Sequence, residues 1–158
     1  MEDCRPAGPD DVSVIATLAR AMHDELNPIK GGPLLLAREA RPEPLDDAYR
    51  GLLDREDALL VVGFIDAVVV GFGAVELETL RTGERLGIVT DLFVDPEARS
   101  VGIGEAIAGA LLAFCAEASC IGVDARALPG HRATKNFFEE QGFTARAIVM
   151  HKPTRGHS

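Results

Sequence analysis

Long hydrophobic runs are missing from this chain of 158 residues. Its two main apolar stretches, ALLVVGFI and AVVVGFGAV, are too short to span a bilayer, and Asp66 separates them. The opening MEDCRPAGPDD is acidic and contains proline, unlike a signal or transit peptide. We therefore expect a cytoplasmic protein with no membrane partner.

Cysteine is scarce and histidine is scattered. Cys4, Cys115 and Cys120 are an odd number with no CxxC spacing, a pattern that implies neither a disulfide framework nor a zinc site. We expect three reduced thiols. The four histidines form no ligand pair at helical spacing, so we expect no metal site.

Basic clusters are also missing. The formal net charge is −9, whereas a protein that binds duplex DNA usually presents a basic face to the phosphates. Nucleic acid is therefore not an expected partner, and the acidic balance is compatible with a cationic substrate such as an amine. The length and the 47% hydrophobic content predict one globular domain over 1–158, with an ordered core of about 1–152 and a tail over 153–158.

Hydrophobic periodicity predicts the order β-α-α-β-β-β-α-β-α-β. NPIKGGP is expected to break the first helix and begin a connection that runs to the second. The predicted elements are a strand at Cys4–Pro6, a helix to about Leu26, a helix over about Leu45–Arg55, a hairpin of ALLVVGFI and AVVVGFGAVEL, the strand LGIVTDLFV, a helix over about 102–118, the strand CIGVDARAL, the helix RATKNFFEEQ and the strand FTARAIVMHK.

The stretch over 86–128 is a strand, a crossover helix and a strand, which predicts two parallel neighbouring strands. The earlier hairpins are antiparallel. The expected fold class is therefore α/β, with a mixed and mostly antiparallel sheet that carries helices on both faces.

The most informative short motif is PEARSVGIGEAI, where Gly102 and Gly104 lie between a strand and a helix. Free amide N–H groups at a helix start can bind a phosphate, and the missing Cβ atoms let it approach the backbone. The structural alternative is that these glycines only permit a tight turn and close helix packing. Ile107 breaks the GxGxxG fingerprint and no Walker A ending follows, which argues against NAD and nucleoside triphosphates.

The segment VDPEARSVGIG resembles the V-x-P and R/Q-x-x-G-x-G/A signature of the GNAT superfamily of N-acetyltransferases. The pattern falls on Val94, Pro96, Arg99, Gly102 and Gly104. NFFEEQGF is similar to the last helix and terminal Gly-Phe of the family, CRPAGPDDVSVI to its first strand and helix, and VVGFIDAVVVGFGAV to its central hairpin. The resemblance covers nearly the whole chain, in the same order.

The resemblance implies acetyl-CoA, or a related acyl-coenzyme A, as acyl donor. The diphosphate is expected on the amides of Arg99–Gly104, and the pantetheine arm beside the backbone of Leu92–Val94, where the two parallel strands splay apart. The residues expected to bind the donor are Leu92, Phe93, Val94, Arg99, Ser100, Val101, Gly102, Ile103, Gly104, His131, Thr134 and Phe138.

The chain departs from the family pattern at positions that matter for catalysis. Phe138 stands where much of the family has a tyrosine that donates a proton, and His131 replaces an asparagine. Three roles are open for His131: a contact with the donor, a part in proton transfer, or simply an exposed residue at the start of a helix. Ile88 and Thr90 occupy positions where relatives carry a base, and neither can serve as one.

The candidate catalytic residues are Asp91 and Glu76. Asp91 is adjacent to the expected base positions, but strand alternation predicts that its side chain points to the opposite face. Its alternative role is to bond backbone or an arginine. Glu76 shares a face with Glu78 on the hairpin strand. The functional interpretation is that this pair attracts a cationic amine or orders a water. The structural interpretation is that the pair is the solvated end of a strand. Tyr49, the single tyrosine, reaches the cleft or packs in the core.

The resulting hypothesis is an N-acetyltransferase in which the primary amine of a small molecule or peptide attacks acetyl-CoA directly. A covalent cysteine route is not expected. One alternative is a catalytically weak protein of the same fold that binds acyl-CoA as a sensor or regulator. Another is a structural domain without a nucleotide ligand. The acceptor is not identified by the sequence, and exposed edges of the final strands make a homodimer possible.

Overall fold

The computed structural model describes residues 2–99 and 102–155. Five strands form one sheet in the order β1-β2-β3-β4-β5, antiparallel except for the parallel β4–β5 pair. The strands are β1 (Glu2–Pro6), β2 (Ala58–Ile65), β3 (Val68–Thr79), β4 (Arg85–Val94) and β5 (Gly122–Ala125). The helices are α1 (Val12–Leu26), α2 (Gly32–Glu39), α3 (Leu45–Leu53), α4 (Ile103–Glu117) and α5 (Arg132–Glu140). This mixed sheet confirms the expected fold class.

Helices cover both faces of the sheet because each strand alternates its apolar residues between two cores. On one face α1 and α3 pack against a cluster that includes Phe72 and Phe93. On the other face α4 packs against Val75 and its neighbours. Gly73 lets α4 approach closely, since a Cβ there would lie 2.5 Å from Ile107 Cγ2. No helix in the described part of the chain is long and apolar enough to cross a bilayer.

The β2–β3 hairpin turns over two residues, which confirms the hairpin predicted there. Asp66 and Ala67 both have positive φ, 47° and 71°. Two consecutive left-handed residues match the twist of the flanking strands and close a two-residue loop.

The connection predicted between the first two helices contains an additional helix, α2. Gly31 has φ of +84°, and a Cβ on Gly32 would lie only 1.9 Å from the carbonyl oxygen of Leu26. The two glycines therefore form a tight corner against the end of α1. Pro33 lies in the first turn of α2, where its missing N–H costs no helical hydrogen bond.

The final predicted strand, FTARAIVMHK, does not join the sheet. Residues 144–154 have no regular secondary structure, and Ile148, Val149 and Met150 are 80%, 79% and 87% exposed. Arg146 forms an ion pair with Asp124 of β5, so the beginning of the segment lies beside the sheet edge. An alternating pattern predicts an extended chain, but a strand also needs a partner backbone, which β5 does not provide here.

Candidate active site

The parallel strands part at a bulge in β4. Ala74 of β3 is opposite Asp91 and Val75 is opposite Val89, so Thr90 is an extra residue. A bulge of this kind bends its strand and increases the local twist. The last β4–β5 pair is Val89 with Ala125, and β4 then continues to Val94. Residues 90–94 of β4 therefore continue without a β5 partner, and we call the gap between the parting strands beside these residues the crevice.

At the end of this crevice α4 begins with a left-handed residue. Gly102 has φ of +85°, a conformation that strains any residue with a Cβ. The first amide N–H groups of α4 have no partner within the helix, and they form the positive end of the helix dipole. Ser100 and Val101, which were also predicted to bind the donor, lie outside the described residues.

The two glycines of the motif, Gly102 and Gly104, are required for different structural reasons. A Cβ on Gly104 would lie 3.2 Å from Phe137 Cε1, so this glycine lets α4 pack against α5. Among the described residues, the nearest atom to a Cβ on Gly102 would be Glu105 Oε2 at 3.7 Å. Close packing therefore explains Gly104, whereas Gly102 is explained by its backbone conformation, and no described side chain crowds it at the helix start.

Arg99 is held at the crevice by three contacts. Its Nε donates to the Val94 carbonyl oxygen at 2.8 Å, and its guanidinium carbon lies 5.2 Å from the centre of the Phe93 ring. Its Nη2 donates to Glu25 Oε1 at 2.7 Å. Leu92 and Val94 point to the opposite face, towards the core beneath α4.

The start of α5 is tied to the same glutamate. His131 Nε2 lies 3.3 Å from Glu25 Oε2, and His131 Nδ1 lies 2.8 Å from Thr134 Oγ1. Phe138 is buried and packs edge-on against Phe143, with ring centres 5.1 Å apart. The structure thus links Arg99 and His131 through Glu25, a residue that the sequence motif did not indicate, and Thr134 contacts His131.

A second polar cluster surrounds Asp91, which is only 5% exposed. Its Oδ1 accepts hydrogen bonds from Arg41 Nη2 at 2.9 Å and Thr90 Oγ1 at 2.7 Å. Its Oδ2 accepts one from the Tyr49 hydroxyl at 2.7 Å. This is the structural alternative foreseen for Asp91, a carboxylate bonded to an arginine.

Glu76, the other candidate catalytic residue, belongs to the same cluster. Arg41 Nη2 donates to Glu76 Oε2 at 3.1 Å, and Arg55 Nη1 donates to Glu76 Oε1 at 2.6 Å. The Glu76 side chain is 26% exposed, so it is the more accessible of the two carboxylates.

The predicted orientation of Asp91 was wrong. In an unbroken strand its side chain would point away from Ile88, which pairs with Glu76. Because the bulge at Thr90 shifts the alternation by one residue, Asp91 and Glu76 share a face and both reach Arg41. Two consecutive polar residues within the apolar strand LGIVTDLFV are the sequence signal for this bulge.

Burial and charge fix the protonation of Tyr49 and Arg41 in this cluster. Burial raises the pKa of Tyr49 above its ordinary value, and the neighbouring Asp91 carboxylate raises it further. Burial is the largest single influence on Arg41 and would lower its pKa, but the attraction and hydrogen bond of the Asp91 carboxylate, together with the Glu76 carboxylate and Tyr49, outweigh burial, so the net shift is upward. Tyr49 therefore stays protonated and Arg41 stays charged near neutral pH.

The cysteines are free thiols, as expected. Burial raises the pKa of Cys115 to about 11, so this thiol is protonated at neutral pH and is a poor nucleophile. In residues 2–99 and 102–155 no group of three or more histidine, cysteine or acidic side chains is arranged to hold a metal ion.

The sheet order, the parallel pair that parts at a bulge and the helix that begins at Gly102 define an acetyltransferase fold. The family model described as Acetyltransferase (GNAT) family matches residues 19–143, and the chain belongs to this family. No curated protein matches the sequence.

Solved structures agree with this fold. A tetramutant of the BH1408 protein from Bacillus halodurans has a TM-score of 0.78 at 19% identity, over 95% of this chain and 98% of that one. Glucosamine-6-phosphate N-acetyltransferase from Arabidopsis thaliana has a TM-score of 0.67 at 19% identity, over 98% and 99%. AAC(6')-Iy in complex with the bisubstrate analogue CoA-S-monomethyl-acetylneamine has a TM-score of 0.75 at 15% identity, over 99% of both chains.

Proposed function

We propose that the protein transfers an acetyl group from acetyl-CoA to a primary amine by direct attack. The observation that carries this proposal is the crevice beside residues 90–94, which leads to the open helix start at Gly102. Family membership supports acetyl-CoA as the donor. The acceptor class rests on chemistry, because an amine is the nucleophile that an N-acetyltransferase acylates.

The residues at the end of the crevice fit a diphosphate. Around Gly102 there is space where a side chain would otherwise stand, and the free amides of the first turn of α4 are hydrogen-bond donors. Arg99 supplies a guanidinium, which binds phosphate oxygens through charge-assisted hydrogen bonds. We place the pantetheine arm beside Leu92–Val94, where the backbone of β4 continues past its last β5 partner.

The acceptor must lose a proton before it attacks. A lysine-like amine has a pKa of roughly 10.4, so only about one molecule in 10³ is neutral at pH 7. Asp91 is buried and accepts three hydrogen bonds, which leaves it a positioning role. Glu76 is partly exposed and remains the candidate to attract the ammonium group and take its proton through water.

An open depression next to the cluster offers the acceptor a path to Glu76. Its volume is about 530 Å³, and it is lined by Arg55, Glu56, Asp57 and Arg85. Arg55 also donates to Glu76, so an amine that enters here meets this ion pair first. We propose that the acceptor enters through this depression, at the other end of β4 from Gly102.

The coenzyme thiolate leaves without an acid from α5, because Phe138 has no proton to donate and is packed among aromatic rings. A thiol with a pKa of roughly 8.5 leaves readily as the thiolate, and water can protonate the thiolate afterwards.

A donor-binding sensor with weak catalysis is the second candidate function. The observation that favours it is that the hydrogen bonds of Arg41, Arg55, Thr90 and Tyr49 occupy both candidate carboxylates. This function requires the same donor crevice but no acceptor.

The test is the release of coenzyme A thiol from acetyl-CoA across a panel of amines. We expect release that depends on an amine, and a 10- to 100-fold weaker apparent affinity for acetyl-CoA in Arg99→Ala, which is about the value of a charge-assisted hydrogen bond. Arg50→Ala is the matched control, since within the described part of the chain the ion pair of Arg50 is with exposed Asp47 in the same helix. It should leave both the rate and the affinity unchanged.

Other outcomes separate the alternatives. Heat on titration with coenzyme A, combined with no thiol release for any amine, would favour the sensor. If calorimetry detects no binding of coenzyme A, the domain is structural and both proposals are wrong.

A further inference from the structure

Glu25, near the end of α1, joins two positively charged or polar partners that come from elsewhere in the chain. One carboxylate oxygen lies 2.7 Å from Arg99 Nη2, and the other lies 3.3 Å from His131 Nε2. Arg99 follows β4 and His131 precedes α5, so one side chain links three separate elements. The Glu25 side chain is 28% exposed and the His131 side chain is 17% exposed.

The loops on either side of this link also meet. A Cβ on Gly130 would lie 3.4 Å from Ile29 Cγ2, and a Cβ on Gly31 would lie 3.3 Å from Leu128 Cδ2. The connection after α1 therefore packs against the loop between β5 and α5. Glu25 completes this contact with an ion pair to Arg99, the same residue that the proposed donor site requires.

We propose that Glu25 is an internal competitor of the donor diphosphate, which holds Arg99 while the donor is absent and releases it when the donor binds. The inference rests on the proposed function. A carboxylate and a diphosphate are both anions that a guanidinium binds through two parallel hydrogen bonds. The Glu25 carboxylate and the diphosphate also repel each other, so Glu25 weakens donor binding while it stabilises the donor-free protein.

This role predicts two effects of opposite sign for one substitution. Glu25→Gln keeps the shape of the side chain and removes its charge. The donor-free variant should melt at a lower temperature, because the bonds to Arg99 and His131 lose their charge. Its affinity for coenzyme A should nevertheless increase about 3- to 30-fold, because the competing anion is gone. If the role of Glu25 were only structural, its substitution would lower both the melting temperature and the affinity for coenzyme A.

The ligand panel locates the effect. Calorimetric titration with coenzyme A is compared with titration of S-acetylpantetheine, which lacks the diphosphate. We expect Glu25→Gln to tighten binding of coenzyme A and to leave binding of S-acetylpantetheine unchanged. In the double variant with Arg99→Ala the gain should disappear, because the two anions then have no arginine to compete for.

Glu139→Gln is the matched control for the change in net charge. Glu139 is exposed on α5, and its ion pair among residues 2–99 and 102–155 is with Lys135, one turn away. It should leave the affinity for coenzyme A unchanged. If Glu25→Gln weakens coenzyme A binding, leaves it unchanged or tightens S-acetylpantetheine equally, Glu25 is not a competitor. If the wild-type protein binds no coenzyme A, the proposed function itself is wrong, and this inference is wrong with it.

Discussion

One arginine, Arg41, connects the two candidate catalytic carboxylates. Arg41 follows α2 and reaches Asp91 and Glu76 on neighbouring strands, with its guanidinium carbon 5.4 Å from the centre of the Tyr49 ring. Removing one member from such a buried network leaves the others unsatisfied, which costs more than the bond itself contributes. The cluster therefore fixes how α3 and the loop after α2 lie on the sheet.

Tyr49→Phe tests this cluster. The ring keeps its edge-on contact with Phe72, whose centre is 5.6 Å away, but Asp91 Oδ2 loses its hydroxyl donor. We expect the free energy of unfolding in urea to decrease by about 1–3 kcal/mol, the usual penalty for a buried unsatisfied acceptor.

Thr17→Val is the control, because the exposed Thr17 hydroxyl donates its hydrogen bond within α1, to the carbonyl oxygen of Ser13. Its effect should stay within about 0.5 kcal/mol. A Tyr49→Phe variant as stable as the wild type would mean that the hydroxyl does not satisfy Asp91.

At the scale of single elements, the start of α4 connects the fold to the proposed donor site. Gly102→Ala forces a residue with a Cβ into φ of +85°, although the space around it is open. We expect a loss of about 1–2 kcal/mol of stability from backbone strain alone. Coenzyme A binding should weaken as well, since the first amides of α4 shift with the backbone.

Gly109→Ala in the same helix is the matched comparison. Gly109 is exposed, and a Cβ there meets nothing within 4 Å. Alanine is the better helix former, so this variant should gain about 0.5–1 kcal/mol and leave coenzyme A binding unchanged. Equal effects of the two substitutions, measured by urea unfolding, would contradict the conformational role of Gly102.

The elements with strong periodicity were predictable, and the exceptions have physical causes. The hairpin and α4 follow from local patterns and turn residues. The helix α2 was missed because Gly31 and Gly32 are typical helix breakers, yet here they form a corner between two helices. The motif predicted Arg99 as a donor residue, but its partner Glu25 is 74 residues away and only the folded chain brings the two together.

At the scale of the whole molecule, the exposed apolar strip of Ile148, Val149 and Met150 needs a covering surface. The strand β5 is at the end of the sheet, and an uncovered edge strand is a template for pairing with another chain. Because the strip lies in a segment whose sequence predicts a strand and which has no strand partner here, we propose that it is covered by the sheet edge of a second copy.

Light scattering after size exclusion tests this proposal. We expect the mass of two chains for the wild type and of one chain for Ile148→Asp, with unchanged circular dichroism. Val68→Asp introduces the same charge at an exposed apolar residue, 63% exposed in the β2–β3 hairpin, and should stay dimeric. A wild-type protein with the mass of one chain would show that the strip does not dimerise the molecule.

The most direct test of the central claim is a crystal structure with coenzyme A bound. The account predicts diphosphate oxygens within hydrogen-bond distance of the amides at the start of α4, Arg99 turned from Glu25 to the ligand, and the pantetheine arm along Leu92–Val94. A coenzyme A molecule bound elsewhere on the protein, with the crevice beside residues 90–94 empty, would contradict it.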